Sequence, residues 1–356
     1  ISKNYNTGWQ YGNIKGTFLS DTDTTNATYT TVADDWATAS AWTKQSSISV
    51  TSTGSGTSGT LSITGNGTGS NVYFFNPITV EANTDYVVSV TFGAENANDF
   101  FINNTQYSTT NKLLDINALS GSTRGGHFNS GSNTTLYIQG WQQSSTATTI
   151  TNITIQKVSE KDRSVNNKGL EVHGTITKSA VATGADLVAY SGWSSSNYLL
   201  QPYNSDLNFG TGDFTIMYWF NGPGRSNGFH LYHSTSSNST PKWEVQNPGS
   251  GHVRFYDSVA VGMNITGVVS NVWNQVVIVR RGGVLYGYMN GEYKVTTACN
   301  GSLTNTSAEL VVGNRHDAAD RYSADDLALL RISKSAASAE QIKKMYEDEK
   351  VLFQEN

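Results

Sequence analysis

The run Phe214-Thr215-Ile216-Met217-Tyr218-Trp219-Phe220 carries a bulky side chain at nearly every position. Successive side chains of a β-strand point to opposite faces, so a strand that is apolar on both must be covered on both. The run is therefore expected at the centre of a sheet. Outward from it, Trp273-Asn274-Gln275-Val276-Val277-Ile278-Val279-Arg280 leads through Gly282-Gly283 into Val284-Leu285-Tyr286-Gly287-Tyr288-Met289. Asn290-Gly291 then turns the chain into Glu292-Tyr293-Lys294-Val295, and this dipeptide suits a type I′ hairpin, whose two central residues both need positive φ. Leu310-Val311-Val312-Gly313 and Asp326-Leu327-Ala328-Leu329-Leu330-Arg331-Ile332 complete the strand set. Ser338 with Gln341 three residues on makes a capping box. Ile342, Met345 and Tyr346 follow at helical spacing, predicting one helix over 338–349.

The N-terminal half is built differently but points the same way. Ser47-Ile48-Ser49-Val50, Leu61-Ser62-Ile63, Tyr86 to Phe92, Thr135-Leu136-Tyr137-Ile138 and Ile150 to Ile155 alternate apolar and polar between Gly, Asn, Asp and Ser turns. Short strands at such spacing imply sandwiches or barrels. The fold class is all-β: two β-sandwich modules in tandem, with a short C-terminal helix. Residues 1–23 are expected to be an extended arm or the end of a preceding module, 24–160 the first sandwich, 161–168 a linker at the charge-rich Lys157–Arg163 segment, and 169–350 the second sandwich. Residues 351–356, with apolar Val351-Leu352-Phe353, read as a continuation that wants a partner beyond the chain. Ile1 in place of Met reads as the start of a processed or excised piece.

Composition removes several classes of function. Of 356 residues, 14% are charged, against about 25% in an average soluble protein. Yet 18 Tyr, 13 Phe and 8 Trp supply core material that a disordered chain would lack. A net charge of −5 with no Lys/Arg cluster argues against a nucleic-acid partner. No apolar run approaches the ~20 residues of a membrane span, so no membrane insertion is expected. Cys299 is the single cysteine and is read as a small buried side chain.

Catalytic patterns are also missing. No Gly-x-Ser-x-Gly elbow stands at a strand-to-helix junction, and Gly65-Asn66-Gly67-Thr68-Gly69 opens no helix. Among the carboxylates, Lys242-Trp243-Glu244-Val245-Gln246 offers only one. His230 and His233 would suit zinc on a helix, but three apart on a regular strand they face opposite ways. No catalytic residues and no enzymatic activity are expected.

Gly212-Asp213-Phe214-Thr215-Ile216, the Trp273 strand, Tyr288-Met289-Asn290-Gly291 and Asp325 to Ile332, with Ser335 to Ile342 following, resemble the concanavalin A-like, laminin-G-type jelly roll over roughly Gly169 to Lys350. Ala33 to Val158 is similar to the jelly rolls of carbohydrate-binding modules. The whole arrangement resembles bacteriophage tail-fibre and adhesin chains, in which a Gly/Thr/Ser-rich jelly roll ends in a phrase similar to Lys161-Asp162-Arg163-Ser164-Val165. The resemblance implies attachment to a cell-surface glycan or receptor, on a virion surface or otherwise outside cells. It also implies homo-oligomers, trimers among them, and a structural Ca²⁺. The Glu-x-Asp-x-x-Glu trio of the glucanases sharing this fold does not occur, so the paired carboxylates of glycoside hydrolysis are lacking. Accessory modules of a secreted polysaccharide-degrading enzyme, and ligand-free spacers of a fibre, are the competing readings.

A sandwich recognises sugar with flat aromatic faces flanked by hydrogen-bonding groups. Trp and Tyr near turns are the candidates: Trp36, Trp42, Tyr73, Trp141 and Gln142 in the first module, and Trp193, His316, Arg321 and Tyr322 in the second. Core packing is the competing role for each, and for Trp219 and Trp273, inside strong strands, it is the expected one. Calcium wants several oxygens, which Asp325 and Asp326 with Asp317 or Asp320 would supply; a solvated acidic loop is the alternative.

Overall fold

A computed structural model describes residues 14–67, 72–97, 99–116, 120–226, 228–235, 243–257, 262–315 and 320–354. The chain divides into two compact units. One is residues 30–158 with Thr235; the other joins the described residues of the 1–29 segment to the remaining ones from 159 onward.

The 30–158 unit is two five-stranded antiparallel sheets. In one, Asp85–Ala94 lies between Ser122–Asn129 and Thr148–Lys157, with Leu61–Thr64 and Ser49–Ser52 beyond. The other runs in the order Thr43–Lys44, Tyr73–Thr79, Thr135–Trp141, Asp99–Asn103, Lys112–Asp115. Val88, Val90 and Phe92 from the first sheet meet Phe74, Phe100, Ile102 and Ile138 from the second in one core. Trp36 and Trp42 belong to that core. Trp36 is fully buried and its carbonyl accepts from Trp42 Nε1 at 2.8 Å.

The second unit sets a nine-stranded sheet against a seven-stranded one. Phe214–Asn221 is central in the larger sheet, between Asn274–Arg281 and Asp326–Ser333. One side of it (Phe214, Ile216, Tyr218, Phe220) enters the inter-sheet core. The other (Met217, Trp219) is roofed by the C-terminal helix and the segment after it. The helix spans Ala339–Glu349, and the Ser338/Gln341 capping box is present. The hairpin at Asn290-Gly291 has φ of 54° and 76°, both left-handed. No helix among the described residues is long and apolar enough to cross a membrane.

The roof is polar as well as apolar. Glu349 is fully buried, 2.6 Å from Arg331 Nη1, and accepts from Trp219 Nε1 at 2.6 Å. Phe353 stacks on Trp219 with centroids 4.3 Å apart, so the apolar 351–353 segment, which the sequence left wanting a partner beyond the chain, has one within it.

The N-terminal segment also joins this unit. Ile14–Phe18 pairs antiparallel with Asp326–Ser333, and Phe18 is fully buried in its core. Ala27–Thr28 pairs with the strand Thr175–Ala180. The 30–158 unit is thus inserted in the chain between strands of the other sandwich. The segment 161–168, expected as a linker, is held by Asp162, whose carboxylate accepts from the backbone N–H of Thr17, Ser164 and Lys168. Lys178 bonds both Asp21 and Glu160.

Two side chains depart from the regular geometry assumed above. His230 lies at an irregularity in the strand Phe229–Ser234, and both it and His233 face the core, so the alternation argument fails there. His230 bonds Tyr218 and Asp325, at 2.8 and 2.7 Å, while His233 stacks on Trp243 and burial pushes its pKa down to about 3. Cys299 is buried as expected; its thiol donates to Asp257, and burial with that carboxylate beside it raises its pKa to about 11.

Candidate functional site

In the 30–158 unit, Phe74, Phe100, Ile102, Leu136 and Ile138 point into the core, so their strand neighbours point out. Register then builds cross-strand rows on the outer face: Tyr73 beside Trp141 beside Asp99, and Phe75 beside Gln139 beside Phe101. Gly140 permits the first row. A Cβ there would stand 2.6 Å from the Phe74 ring and 2.7 Å from the Asp99 carbonyl, so only glycine lets the core close beneath Trp141.

Residues 104–110 arch over the second row and are tied down by two buried amides. Asn103 Nδ2 donates to the carbonyls of Ser108 and Thr110, and Gln139 accepts from Tyr107 N–H at 2.7 Å while donating to the Ser108 carbonyl. Tyr107 is held at φ 53°, in the left-handed region that costs an ordinary residue about 1–2 kcal/mol. Its ring stands edge-on to Phe75 at 5.1 Å and to Tyr73 at 6.4 Å, and it is 42% exposed.

The Tyr73–Trp141–Asp99 row is left uncovered. Tyr73 and Trp141 are half-buried, and the Trp141 indole N–H, itself buried, has no partner among the described residues. Lys112 bridges Asp99 (2.5 Å) and Asp115 (3.2 Å) and lies 4.6 Å from the Phe101 centroid. Burial works against its charge, but the two carboxylates outweigh it and hold its pKa above the ordinary value. The result is an aromatic floor with a tyrosine wall and an ion-paired rim. Such a surface holds the apolar face of a sugar ring and offers groups to its hydroxyls.

Of the sequence candidates, the structure brings together Tyr73 and Trp141. Trp36 and Trp42 are core side chains. Gln142 is fully buried and braces the 142–146 turn through the carbonyls of Ser144 and Thr146. Trp193 is buried in the other unit and donates from Nε1 to the Asp325 carbonyl. Arg321 and Tyr322 are half-exposed, Tyr322 lying under the Arg225 guanidinium at 4.0 Å. His316 and Asp317 lie outside the described residues.

The acidic candidates are also separated in role. Asp325 is 1% exposed, and its carboxylate accepts from His230, Asn247 and Gly224 N–H at 2.7–2.8 Å. Burial alone would raise its pKa; these donors and the His230 charge outweigh burial and lower it. Its oxygens are committed to protein donors, so it is the hub of a buried network. Asp326 is half-buried, and burial with the neighbouring Asp325 charge raises its pKa. Asp320 is exposed, its carbonyl accepting from Arg225. Among the described residues no three His, Cys, Asp or Glu side chains gather as a metal site. Tyr107, Asp99 and Lys112 escape the sequence reading; a lone Tyr in the polar stretch 103–111 is the only trace of the arch.

Residues 194–343, which include most of the second sandwich's strands, match the family model of the concanavalin A-like lectin/glucanases superfamily, of laminin-G type. No curated protein sequence matches the chain. Among solved structures it is similar to the binding domain of Paraclostridial Mosquitocidal Protein 1 (19% identity, TM-score 0.42, covering 53% of this chain and 49% of that one). It is also similar to the botulinum neurotoxin serotype D binding domain (17% identity, TM-score 0.41, 54% and 48%). A third is Domain 4 of AbnA, a GH43 extracellular arabinanase from Geobacillus stearothermophilus, in complex with arabinotriose (13% identity, TM-score 0.41, 52% and 92%). The chain spans about half the length of the first two.

Proposed function

We propose that this protein binds glycan without cleaving it, through the outer face of the Tyr73–Thr79/Thr135–Trp141/Asp99–Asn103 sheet, as an attachment segment of a phage tail fibre or another extracellular adhesin. The observation that carries the reading is the in-register pair Tyr73 and Trp141, left open beside the strained Tyr107. An aromatic floor this shallow suits neutral sugar rings held by stacking, with Kd of about 1 mM, near −4 kcal/mol. Display in several copies converts such affinity into useful avidity. Asp99 and Asp115 are both tied to Lys112, which leaves neither carboxylate placed as a free general acid or nucleophile.

The test is an oligosaccharide array probed with the chain on a multivalent support, followed by titration of each hit against Tyr73→Ala and Trp141→Ala. Each variant is expected to lose about tenfold or more in affinity, since one aromatic contact contributes about 0.5–1.5 kcal/mol beyond the area it buries. Absence of any hit, or full affinity in both variants, would sink the reading.

A further inference from the structure

The seven-stranded sheet of the second unit ends in three strands, Trp243–Gln246, His252–Asp257 and Gly262–Thr266, and their side chains divide cleanly. Trp243, Val245, Val253, Phe255, Met263 and Ile265 fill the core. Alternation therefore sends Gln246, His252, Arg254, Tyr256 and Asn264 to the outer face. Gln246, Arg254 and Asn264 form one cross-strand row; Tyr256 stands beside Gly262 in the next. A recess of about 300 Å³ opens here, lined by Gln246, Pro248, Ser250, His252, Arg254, Gly262 and Asn264, at the low end of ligand-pocket volumes, roughly 300–1,000 Å³.

Two features set the chemistry of this recess. None of its lining residues is acidic, and among the described residues Arg254 has no carboxylate at ion-pair distance. Its one aromatic contact is the Tyr256 ring at 5.1 Å, which leaves the guanidinium edge available. Glu244, on the neighbouring strand, is 4% exposed, accepts from Gln246 and faces Arg315 at 3.8 Å. Burial raises the Glu244 pKa, partly offset by Arg315, the Gln246 bond, Arg254 and Arg321. Three guanidinium groups thus bear on one sunken carboxylate, and among the described residues Arg254 is the one Arg, Lys, Asp or Glu side chain that lines the recess. Gln246 and Asn264 amides, the Ser250 hydroxyl and the His252 imidazole supply hydrogen-bonding groups of the kind that meet hydroxyls. Gly262, where an added Cβ would lie 3.9 Å from both Arg254 Nη2 and Tyr256, leaves the tyrosine face clear on that side.

We propose that this recess is a second saccharide site, separate from the aromatic face of the other unit, and that it takes an acidic sugar: the Arg254 fork engages a carboxylate or sulfate while Tyr256, Gln246 and Asn264 hold the ring. Arginine is suited to this because its planar fork meets such oxyanions with two parallel N–H donors.

Isothermal titration of the whole chain with trigalacturonate, with a heparin-derived tetrasaccharide and with neutral maltotriose tests this, alongside Arg254→Gln, Arg254→Lys and Trp141→Ala. At least one acidic probe binds about tenfold or more tightly than maltotriose, the difference shrinks as salt rises from about 50 to about 500 mM, and the better acidic probe tells carboxylate from sulfate. Arg254→Gln abolishes the preference, Arg254→Lys keeps part of it, and Trp141→Ala leaves the affinity for the acidic probe unchanged while affecting only neutral-probe binding. Thermal melts confirm that the variants fold. Equal affinity for the neutral probe, no binding by either acidic probe, or an unchanged preference in Arg254→Gln overturns the proposal. Loss of acidic-probe affinity in Trp141→Ala overturns it too, since the binding would then belong to the other unit.

Discussion

Trp219 and Trp141 begin on similar terms. Each lies on a strand and points away from the main core of its sandwich. Trp219 is covered: Phe353 and Tyr346 stack on it, and Glu349 accepts its N–H. Trp141 stays partly exposed, and its buried N–H has no partner among the described residues. An outward aromatic therefore acquires its role from what lies over it. A returning helix makes it structure; bare solvent leaves it for a partner. Trp219→Ala is the sharpest way to break this contrast. It is expected to cost about 3–5 kcal/mol, because a filled space is emptied and Glu349 loses a donor. Trp141→Ala should cost under about 1 kcal/mol, as a partly exposed side chain leaves little cavity. Calorimetric melts of both variants decide the point, and an equal loss at Trp141 would make that face core.

Polar groups divide along the same line. The Asp325 carboxylate is saturated by three donors, whereas the buried Trp141 N–H has no acceptor among the described residues. Asp325→Asn should destabilise the second unit by about 1–3 kcal/mol at neutral pH, the cost of spoiling buried hydrogen bonds. The pH dependence carries a sign. The folded pKa of Asp325 is depressed, so its contribution is fully present above the unfolded value of about 3.9 and is lost as pH falls through the folded one. Asp162, Glu244 and Asp326 are shifted upward mainly by burial, so they act in the opposite sense. The gap in melting temperature between wild type and Asp325→Asn should therefore narrow from about pH 5 towards pH 2. A constant gap would detach Asp325 from the acid limb.

What was legible in the sequence follows from how far each signal reaches. The both-sided run at 214–220, the Asn290-Gly291 turn and the Ser338/Gln341 cap are local, and their elements stand where the residues put them. Trp36, Trp42 and Trp193 sit near turns much as Tyr73 and Trp141 do. Their burial is decided by distant partners: Trp193 donates to Asp325, 132 residues away. The place of Phe18 depends on a strand more than 300 residues further on. Arg254 and His252 alternate on a strand that the sequence reading passed over, and only register with Gln246 and Asn264 makes them a group.

The finest probe of the contrast is Tyr107. A tyrosine at φ 53° is strained, yet Gln139 and Asn103 fasten the surrounding arch so that it stays there. Strain kept in place by buried hydrogen bonds is a reason to ask what the side chain does. Asn tolerates the left-handed region better than Tyr, so Tyr107→Asn relieves backbone strain while giving up ring contacts with Phe75 and Tyr73. These terms oppose each other, and stability should stay within about 0.5 kcal/mol of wild type. Affinity for whichever neutral oligosaccharide the array selects should fall severalfold, because the wall beside Tyr73 is gone. Unaltered affinity would mean that the open floor works alone, and that the arch serves only to cover Phe75 and Phe101.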